Sequence, residues 1–277
     1  MEDWSNQTVL IAAGSFEGVS RALTAHAIGK GACVIVLARS GREYQETYQE
    51  KDNVFVFPTS FQDLDAVPRL YALVKEVTGK TPTIFINDIR YQLSGLVENT
   101  PIWEYEWSFR SNALFVVELV QNLIPDMLAN KNGVIVNILS AVIYHSFPGV
   151  SAYFSAKAGL GAIHESLRAE LIGTPIRTLY VRPGGFLSNY WKKTDIGNRI
   201  EDFPYPSYSD IRDPEHFAKR LFRAIELGKV EVNTGSIKDR LGYHLNYWAP
   251  SVLERIISKY NQDIVGQKSA DERVQRK

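Results

Sequence analysis

Val134-Ile-Val-Asn-Ile-Leu-Ser140, followed after a short loop by Tyr153-Phe-Ser-Ala-Lys157-Ala-Gly-Leu-Gly161, is the stretch on which the reading of the 277-residue chain turns. Val134 to Leu139 is a continuous apolar run rich in β-branched side chains, with the turn pair Asn132-Gly133 before it. A run this short reads as a strand buried on both faces. From Ser151 the period becomes helical, with Ala152, Ala156, Leu160, Ile163 and Leu167 on one stripe. Tyr153 and Lys157 are four apart, so they lie one turn apart on the same face of that helix. Ser140 closes the strand. A serine at a strand end facing a Tyr/Lys pair is a candidate proton-handling site. A phenol has an ordinary pKa of about 10. An ammonium one turn away lowers it, and the tyrosine can then exchange a proton with a carbonyl or an alcohol near neutral pH. A Tyr-x-x-x-Lys pair by itself also arises on solvated helix faces, so the assignment needs a cofactor site in the right place.

Toward the N-terminus, Thr8 to Ala12 reads as a buried strand, and Gly14-Ser15-Phe-Glu-Gly18-Val19-Ser20 leads into a helical pattern through Ile28. Strand, glycine turn, helix is the context of a dinucleotide loop. Gly14 permits the tight turn, and Gly18 lets a pyrophosphate approach the helix N-terminus, where the dipole favours anions. The second strand, Cys33 to Leu37, ends in Ala38-Arg39, about 20 residues on, where the residue facing the adenosine ribose is expected. No carboxylate stands there for a ribose 2′-OH, and an arginine pairs with a 2′-phosphate through its planar fork, so the cofactor is read as NADP rather than NAD.

Val54–Phe57 and Thr83–Ile86 read as strands, with a helix from Asp63 through Thr78 between them. A long helical region from Pro101 to Ala129 contains Asn112 among apolar neighbours, a polar amide that needs partners. Arg177–Val181 is a sixth strand and runs into Pro183-Gly184-Gly-Phe186-Leu-Ser188. An irregular polar-aromatic stretch over about 186–213 reads as a lid. Asp213-Pro214 starts a further helix, Val230–Asn233 is a last strand, and residues 262–277 form a polar tail. The β–α alternation predicts one doubly wound α/β domain, residues 1–261, around a parallel sheet of about seven strands.

Composition narrows the class. With 45% hydrophobic and 22% charged residues, and 31 basic residues against 31 acidic ones, the chain is globular and carries no broad nucleic-acid footprint. A single cysteine, Cys33, excludes disulfides within the chain and fits a reducing compartment, here read as cytoplasmic. No apolar run approaches the roughly 18 residues needed to span a bilayer, and the N-terminus has no signal-peptide pattern. The histidines, including His164 and the loop residue His145, have no metal-ligand spacing, so no metal is expected.

Together these motifs resemble the short-chain dehydrogenase/reductase family over roughly residues 7 to 235. Its glycine motif is matched by Ala13-Gly14-x-x-x-Gly18-Val-Ser20, its Asn, Ser, Tyr and Lys set by Asn112, Ser140, Tyr153 and Lys157, and its Pro-Gly loop by Pro183-Gly184. The resemblance implies a Rossmann-type fold and cofactor contacts from Gly14, Ser15, Gly18, Val19, Arg39, Asn87, Tyr153, Lys157, Pro183, Gly184, Phe186 and Ser188. It also implies that Tyr153 is the proton donor, Ser140 holds the carbonyl oxygen, Lys157 lowers the Tyr153 pKa and binds the nicotinamide ribose, and Asn112 anchors a water beside Lys157. The sequence departs from the pattern at Ala13 for threonine, at Ser20 for the third glycine, and at Asn87-Asp88-Ile89-Arg90 for Asn-Asn-Ala-Gly; Pro58-Thr59-Ser60 stands where an adenine-facing acid is usual. Of these, the changes at Ala13 and at 87–90 are expected to be linked.

The implied activity is NADP(H)-dependent hydride transfer to or from a carbonyl or secondary alcohol of a small apolar or lipid-like substrate, by a homodimer or homotetramer without an integral membrane segment. Two alternatives have different sequence supports. A catalytically silent dinucleotide sensor or scaffold draws on the altered glycine and Asn-Asp-Ile-Arg motifs. A peripheral lipid reductase would need Trp248 to Tyr260 as an interfacial helix, and the mixed charges Glu254, Arg255 and Lys259 give that helix no basic face.

Overall fold

Strand residues alternate between two apolar layers, as the two-residue period of a strand requires. Val9, Ile11, Val34, Val36, Ile84, Ile86, Val134 and Val136 pack into one layer, while Leu10, Ile35, Leu37, Phe85 and Ile135 pack into the other. A sheet covered on both faces needs apolar residues at every position, which explains the uninterrupted runs in the sequence. The computed structural model describes residues 3–14, 16, 18–39, 41–91, 95–140, 150–183, 213–234, 247–252 and 254–255.

Among these residues there are seven strands: β1 Thr8–Ala13, β2 Cys33–Ala38, β3 Val54–Pro58, β4 Ile84–Asp88, β5 Gly133–Ile138, β6 Ile176–Arg182 and β7 Glu231–Asn233. They pair in parallel in the order β3-β2-β1-β4-β5-β6-β7. The helices are α1 Val19–Gly29, α2 Gly41–Tyr48, α3 Val67–Thr78, α4 Ile102–Phe109, α5 Phe115–Ala129, α6 Ser151–Glu170 and α7 Pro214–Glu226. One layer is roofed by α1, α2 and α7, through Leu23, Tyr44, Leu221 and Phe222. The other is roofed by α3, α5 and α6, through Val74, Phe115, Leu123 and Leu160. This is the doubly wound, Rossmann-type α/β architecture expected. The winding reverses between β1 and β4, and a ligand of such a sheet binds beyond the C-terminal ends of the strands at that reversal.

The structure adjusts several elements. Helix α2 buries only Gly41 and Tyr44, and its polar sequence gives no apolar stripe to read. Helix α3 begins at Val67 rather than Asp63: the Asp63 carboxylate instead accepts the Ala66 N–H at 3.2 Å, closing a turn ahead of Pro68. Helix α7 starts as read, with the Asp213 side chain accepting the Glu215 N–H at 2.9 Å. The region 101–129 is not one helix. A π-helical segment, Arg110–Leu114, separates α4 from α5, and the Phe115 N–H bonds the Arg110 carbonyl five residues back. On α6 the buried stripe runs through Leu160, Gly161 and His164, whereas Ile163 is exposed. No helix among the described residues is long and apolar enough to cross a membrane.

Candidate active site

The sheet brings the ends of β1, β4 and β5 side by side, and the candidate residues cluster there. Ser140 follows β5 and is half-buried; Tyr153 and Lys157 come from the first two turns of α6 and are buried. A hydrogen bond of 2.7 Å between the hydroxyls of Tyr105 on α4 and Ser151 fixes the start of α6. Lys157 has no solvent exposure. Its ammonium donates to the Ile89 carbonyl at 2.7 Å and to the Ile138 carbonyl at 3.1 Å, so it ties the ends of β4 and β5 together. Burial pushes its pKa from 10.5 down to about 7; the Asp88 charge opposes that change and the Arg90 charge adds to it.

Asn112 lies in the π segment, fully buried. Its Oδ1 accepts the Tyr91 N–H at 3.0 Å, and its Nδ2 donates to the carbonyls of Tyr91 at 2.7 Å and Ser108 at 3.0 Å. Both amide hydrogens are therefore committed to main chain. What Asn112 grips is the loop after β4, whose Ile89 carbonyl in turn holds Lys157. Asn87 is engaged in the same region. Its side chain is fully buried, donating to Asn137 Oδ1 at 2.9 Å and accepting the Ile89 N–H at 3.0 Å, so both ends of the amide have partners inside the protein.

The ladder continues to α6. The Asn137 amide nitrogen lies 3.0 Å from His164 Nδ1. With Asn137 donating, His164 carries its proton on Nε2, and that atom has no hydrogen-bond partner among the described residues. Burial holds the imidazole neutral, with its pKa lowered from 6.5 to about 4. Its ring meets Tyr180 edge-on at 5.2 Å. Metal-ligand spacing alone gives His164 no role in the sequence. The usable signal was a polar residue at the helix position facing Asn137, one step from the predicted stripe.

At the β1–β4 corner Gly18 has φ 64° and ψ −123°, a conformation that favours glycine, and it precedes α1 directly; Val19 is buried in the first turn. The Gly14 N–H donates to the Asp88 carbonyl at 3.3 Å. A Cβ on Gly14 would meet Arg90 N at 3.0 Å and Asp88 O at 3.1 Å, so the turn and the β4 loop fit only without a side chain there. Exposed Arg39 lines a small cavity together with Gly14, Phe61, Gln62, Ile89, Arg90 and Tyr91. Pro183 is buried at the end of β6. Ser15, Gly184, Phe186 and Ser188, most of the 186–213 lid, His145 and the 262–277 tail lie outside the described residues.

The expected link between Ala13 and residues 87–90 is replaced by another. Ala13 is fully buried among apolar side chains, and it is Ser20 whose hydroxyl donates to the Asp88 carboxylate. Asp88 also pairs with Arg90, Nε to Oδ1 at 3.3 Å. The strand period places Ile84, Ile86 and Asp88 on one face, and the helix period places Ser20, Leu23, Thr24 and Ala27 on the face that meets it. The meeting of Ser20 and Asp88 was thus readable by combining the two periods.

The short chain dehydrogenase family profile matches residues 7–198, from the edge of β1 past β6. The chain belongs to the short-chain dehydrogenase family. It is an oxidoreductase of that family, and its similarities extend along the whole chain. A ketoacyl reductase, HetN, of Nostoc sp. is 26% identical over 287 aligned residues, covering 99% of this chain and 96% of the relative. An NADPH-dependent 3-dehydrocapnine reductase of Ornithobacterium rhinotracheale is 25% identical, over 70% of this chain and 71% of that one. The crystal structure of a short-chain dehydrogenase from Streptomyces avermitilis superposes with a TM-score of 0.77 at 22% identity, covering 92% of this chain and 97% of that chain, and shares the fold. No cluster of His, Cys, Asp and Glu suited to a metal ion occurs among the described residues of this dehydrogenase.

Proposed function

We propose that this dehydrogenase transfers hydride between NADP(H) and a carbonyl or secondary alcohol of a small apolar or lipid-like substrate. The observation that carries the proposal is Lys157: a fully buried ammonium clamped to the Ile89 and Ile138 carbonyls, one turn from Tyr153 and beside the winding reversal of the sheet.

The residues present fit a dinucleotide. Gly18 takes a glycine conformation at the N-terminus of α1, where main-chain N–H groups attract phosphate. Gly14 keeps the turn free of a side chain where the β4 loop passes closest. Arg39, instead of a carboxylate, stands exposed after β2, which favours a 2′-phosphate. The cofactor supplies the hydride, and the protein supplies placement and proton transfer. Gly14, Ser15, Gly18 and Val19 would hold the pyrophosphate end, and Pro183, Gly184, Phe186 and Ser188 the nicotinamide end.

In the reductive direction Tyr153 gives its proton to the substrate oxygen, and Ser140 holds that oxygen by a hydrogen bond. The Lys157 ammonium stabilises the phenolate left on Tyr153. Asn112 keeps Lys157 in place indirectly, by fixing the loop at Tyr91. Two relatives support the reductive reading by their names, one a ketoacyl reductase and one an NADPH-dependent reductase. The aromatic residues of the 186–213 and 241–260 stretches support an apolar substrate. Exposed Ile102, Trp103 and Trp107 on α4, with Leu114 and Ile163 nearby in sequence or on α6, support pairing of subunits through these helices. A lone half-buried Cys33, whose thiol burial makes harder to ionise, suits a cytoplasmic setting.

The test is a panel of ketones, aldehydes and β-ketoacyl thioesters with NADPH and with NADH, alongside direct titration of both nucleotides. The proposal expects turnover with at least one carbonyl class and a preference for NADPH. The Ser20–Asp88–Arg90 network, foreign to the family pattern, favours the second reading of a silent dinucleotide sensor. Tight nucleotide binding without turnover on any carbonyl would select that second reading.

A further inference from the structure

Three residues that break the family pattern are in contact with one another. The Asp88 carboxylate is 1% exposed and is held from two sides, by the Ser20 hydroxyl and by Arg90 Nε. A carboxylate in that setting is costly unless hydrogen-bonded and paired. Arg90 is the cation that pairs it, and only 16% of the Arg90 side chain is exposed. The main chain of Arg90 abuts the Gly14 turn, and the residue lines the same cavity as Gly14 and Arg39.

The carboxylate holds the guanidinium at this corner as an ion pair, Nε within 3.3 Å of Oδ1. Less rotamer freedom is then lost when an anion engages it, and a planar fork suits phosphate oxygens. Arg90 follows β4, which borders β1 and its glycine turn; Arg39 follows β2, one strand farther out. The two arginines thus approach the corner from different strands. One comes beside the turn where a pyrophosphate is expected, and the other where a ribose 2′-phosphate is expected.

We propose that Arg90 binds the pyrophosphate of the dinucleotide, supplied from the end of β4 and aimed by Asp88. Asp88 is a positioning residue, and Ser20 holds Asp88. This inference rests on the dinucleotide reading above.

The experiment titrates NADPH and NADH, by fluorescence or calorimetry, into wild-type protein and into Arg90→Ala, Arg90→Lys, Arg39→Ala, Asp88→Asn and the double variant Asp88→Asn/Arg90→Ala. A charge-assisted contact predicts that Arg90→Ala weakens both nucleotides alike, by about tenfold or more. Arg39→Ala should weaken NADPH alone. Asp88→Asn should weaken both nucleotides in the wild-type background and add nothing once Arg90 is alanine, an outcome that a purely structural role for Asp88 would not produce. If Arg90→Ala unfolds, Arg90→Lys keeps the charge, loses the fork and should show a smaller loss common to both nucleotides. Unchanged or tighter binding in the folded Arg90 variants overturns the proposal, as does a loss confined to NADPH. Failure of wild-type protein to bind either nucleotide overturns instead the cofactor reading on which the proposal rests.

Discussion

At the β5–α6 end of the site two polar side chains take main-chain partners, Lys157 the Ile89 and Ile138 carbonyls and Asn112 the Tyr91 and Ser108 carbonyls, while Asn87, Asn137 and His164 bond one another through their side chains. At the β1–β4 end the polar side chains are held by one another: Ser20 by Asp88, and Asp88 by Arg90. Main-chain partners persist whatever side chain a neighbour carries. Side-chain partners are lost with a single substitution, and a buried charge that loses its partner is costly. The Lys157 anchor and the Asn112 strap are therefore robust to sequence drift around them, while the corner beside the glycine turn must change as a set. Three departures from the family pattern occurring together in one contact network is the outcome that this difference leads one to expect.

The contrast can be tested in order of expected effect. Lys157 has a folded-state pKa of about 7 against an ordinary 10.5, so between those values the unfolded chain binds the proton that the folded chain has released. Stability should rise with pH across that window, by at most about 5 kcal/mol. Urea midpoints measured from pH 7 to 10 should climb in wild type and stay flat in Lys157→Met. A flat wild-type profile would mean that the carbonyl clamp, not the charge, dominates this end. Next, Tyr153→Phe should cut turnover by about 10³-fold while leaving the NADPH dissociation constant and the melting temperature nearly unchanged. A loss under tenfold would move the proton donor elsewhere.

The third effect is at His164, whose imidazole is held neutral down to about pH 4 against an ordinary 6.5. Below pH 6.5 the unfolded chain takes up a proton that the folded chain refuses, so stability falls as pH drops toward 4, by at most about 3 kcal/mol. His164→Gln should remove that part of the acid slope in thermal melts. The smallest expected effect is Ser20→Ala, which takes one donor from a buried carboxylate and should cost about 2 kcal/mol of unfolding free energy. If Asp88→Asn is made first, Ser20→Ala should cost less than half as much. Equal costs in the two backgrounds would show that the corner is not a coupled set.

The parts of the fold legible in the sequence are those set by apolar periodicity. The strands read as continuous runs because both faces of the sheet are covered, and α7 read from its Asp213 cap and Pro214. Helix α2 did not, because Tyr44 is its one large buried side chain. Spacing alone predicted that Tyr153 and Lys157 share a face. Spacing could not supply the distant partners of Asn87 and Asn112, the Asn137 side chain for one and the main chain of Tyr91 for the other. Nor could it choose between Ile163 and His164, adjacent residues near the edge of the same helical stripe. The Ser20–Asp88 contact was visible in principle, but only by setting the period of a strand against the period of a helix.

The π segment Arg110–Leu114 has a consequence for how this chain tolerates change in length. A π turn is one residue more than an α-helix needs, carried as a permanent insertion. Removing any one residue there would let α4 run into α5 as an unbroken helix, with better backbone bonding than before. Because the wide turn takes up its extra residue within one revolution, the flanking helices would keep their phase and the change would fall on the turn itself, Asn112 included. Asn112 would then leave Tyr91, and the strap over Ile89 and Lys157 would come undone. A shortened chain could thus melt at a higher temperature while having lost the grip on its own lysine.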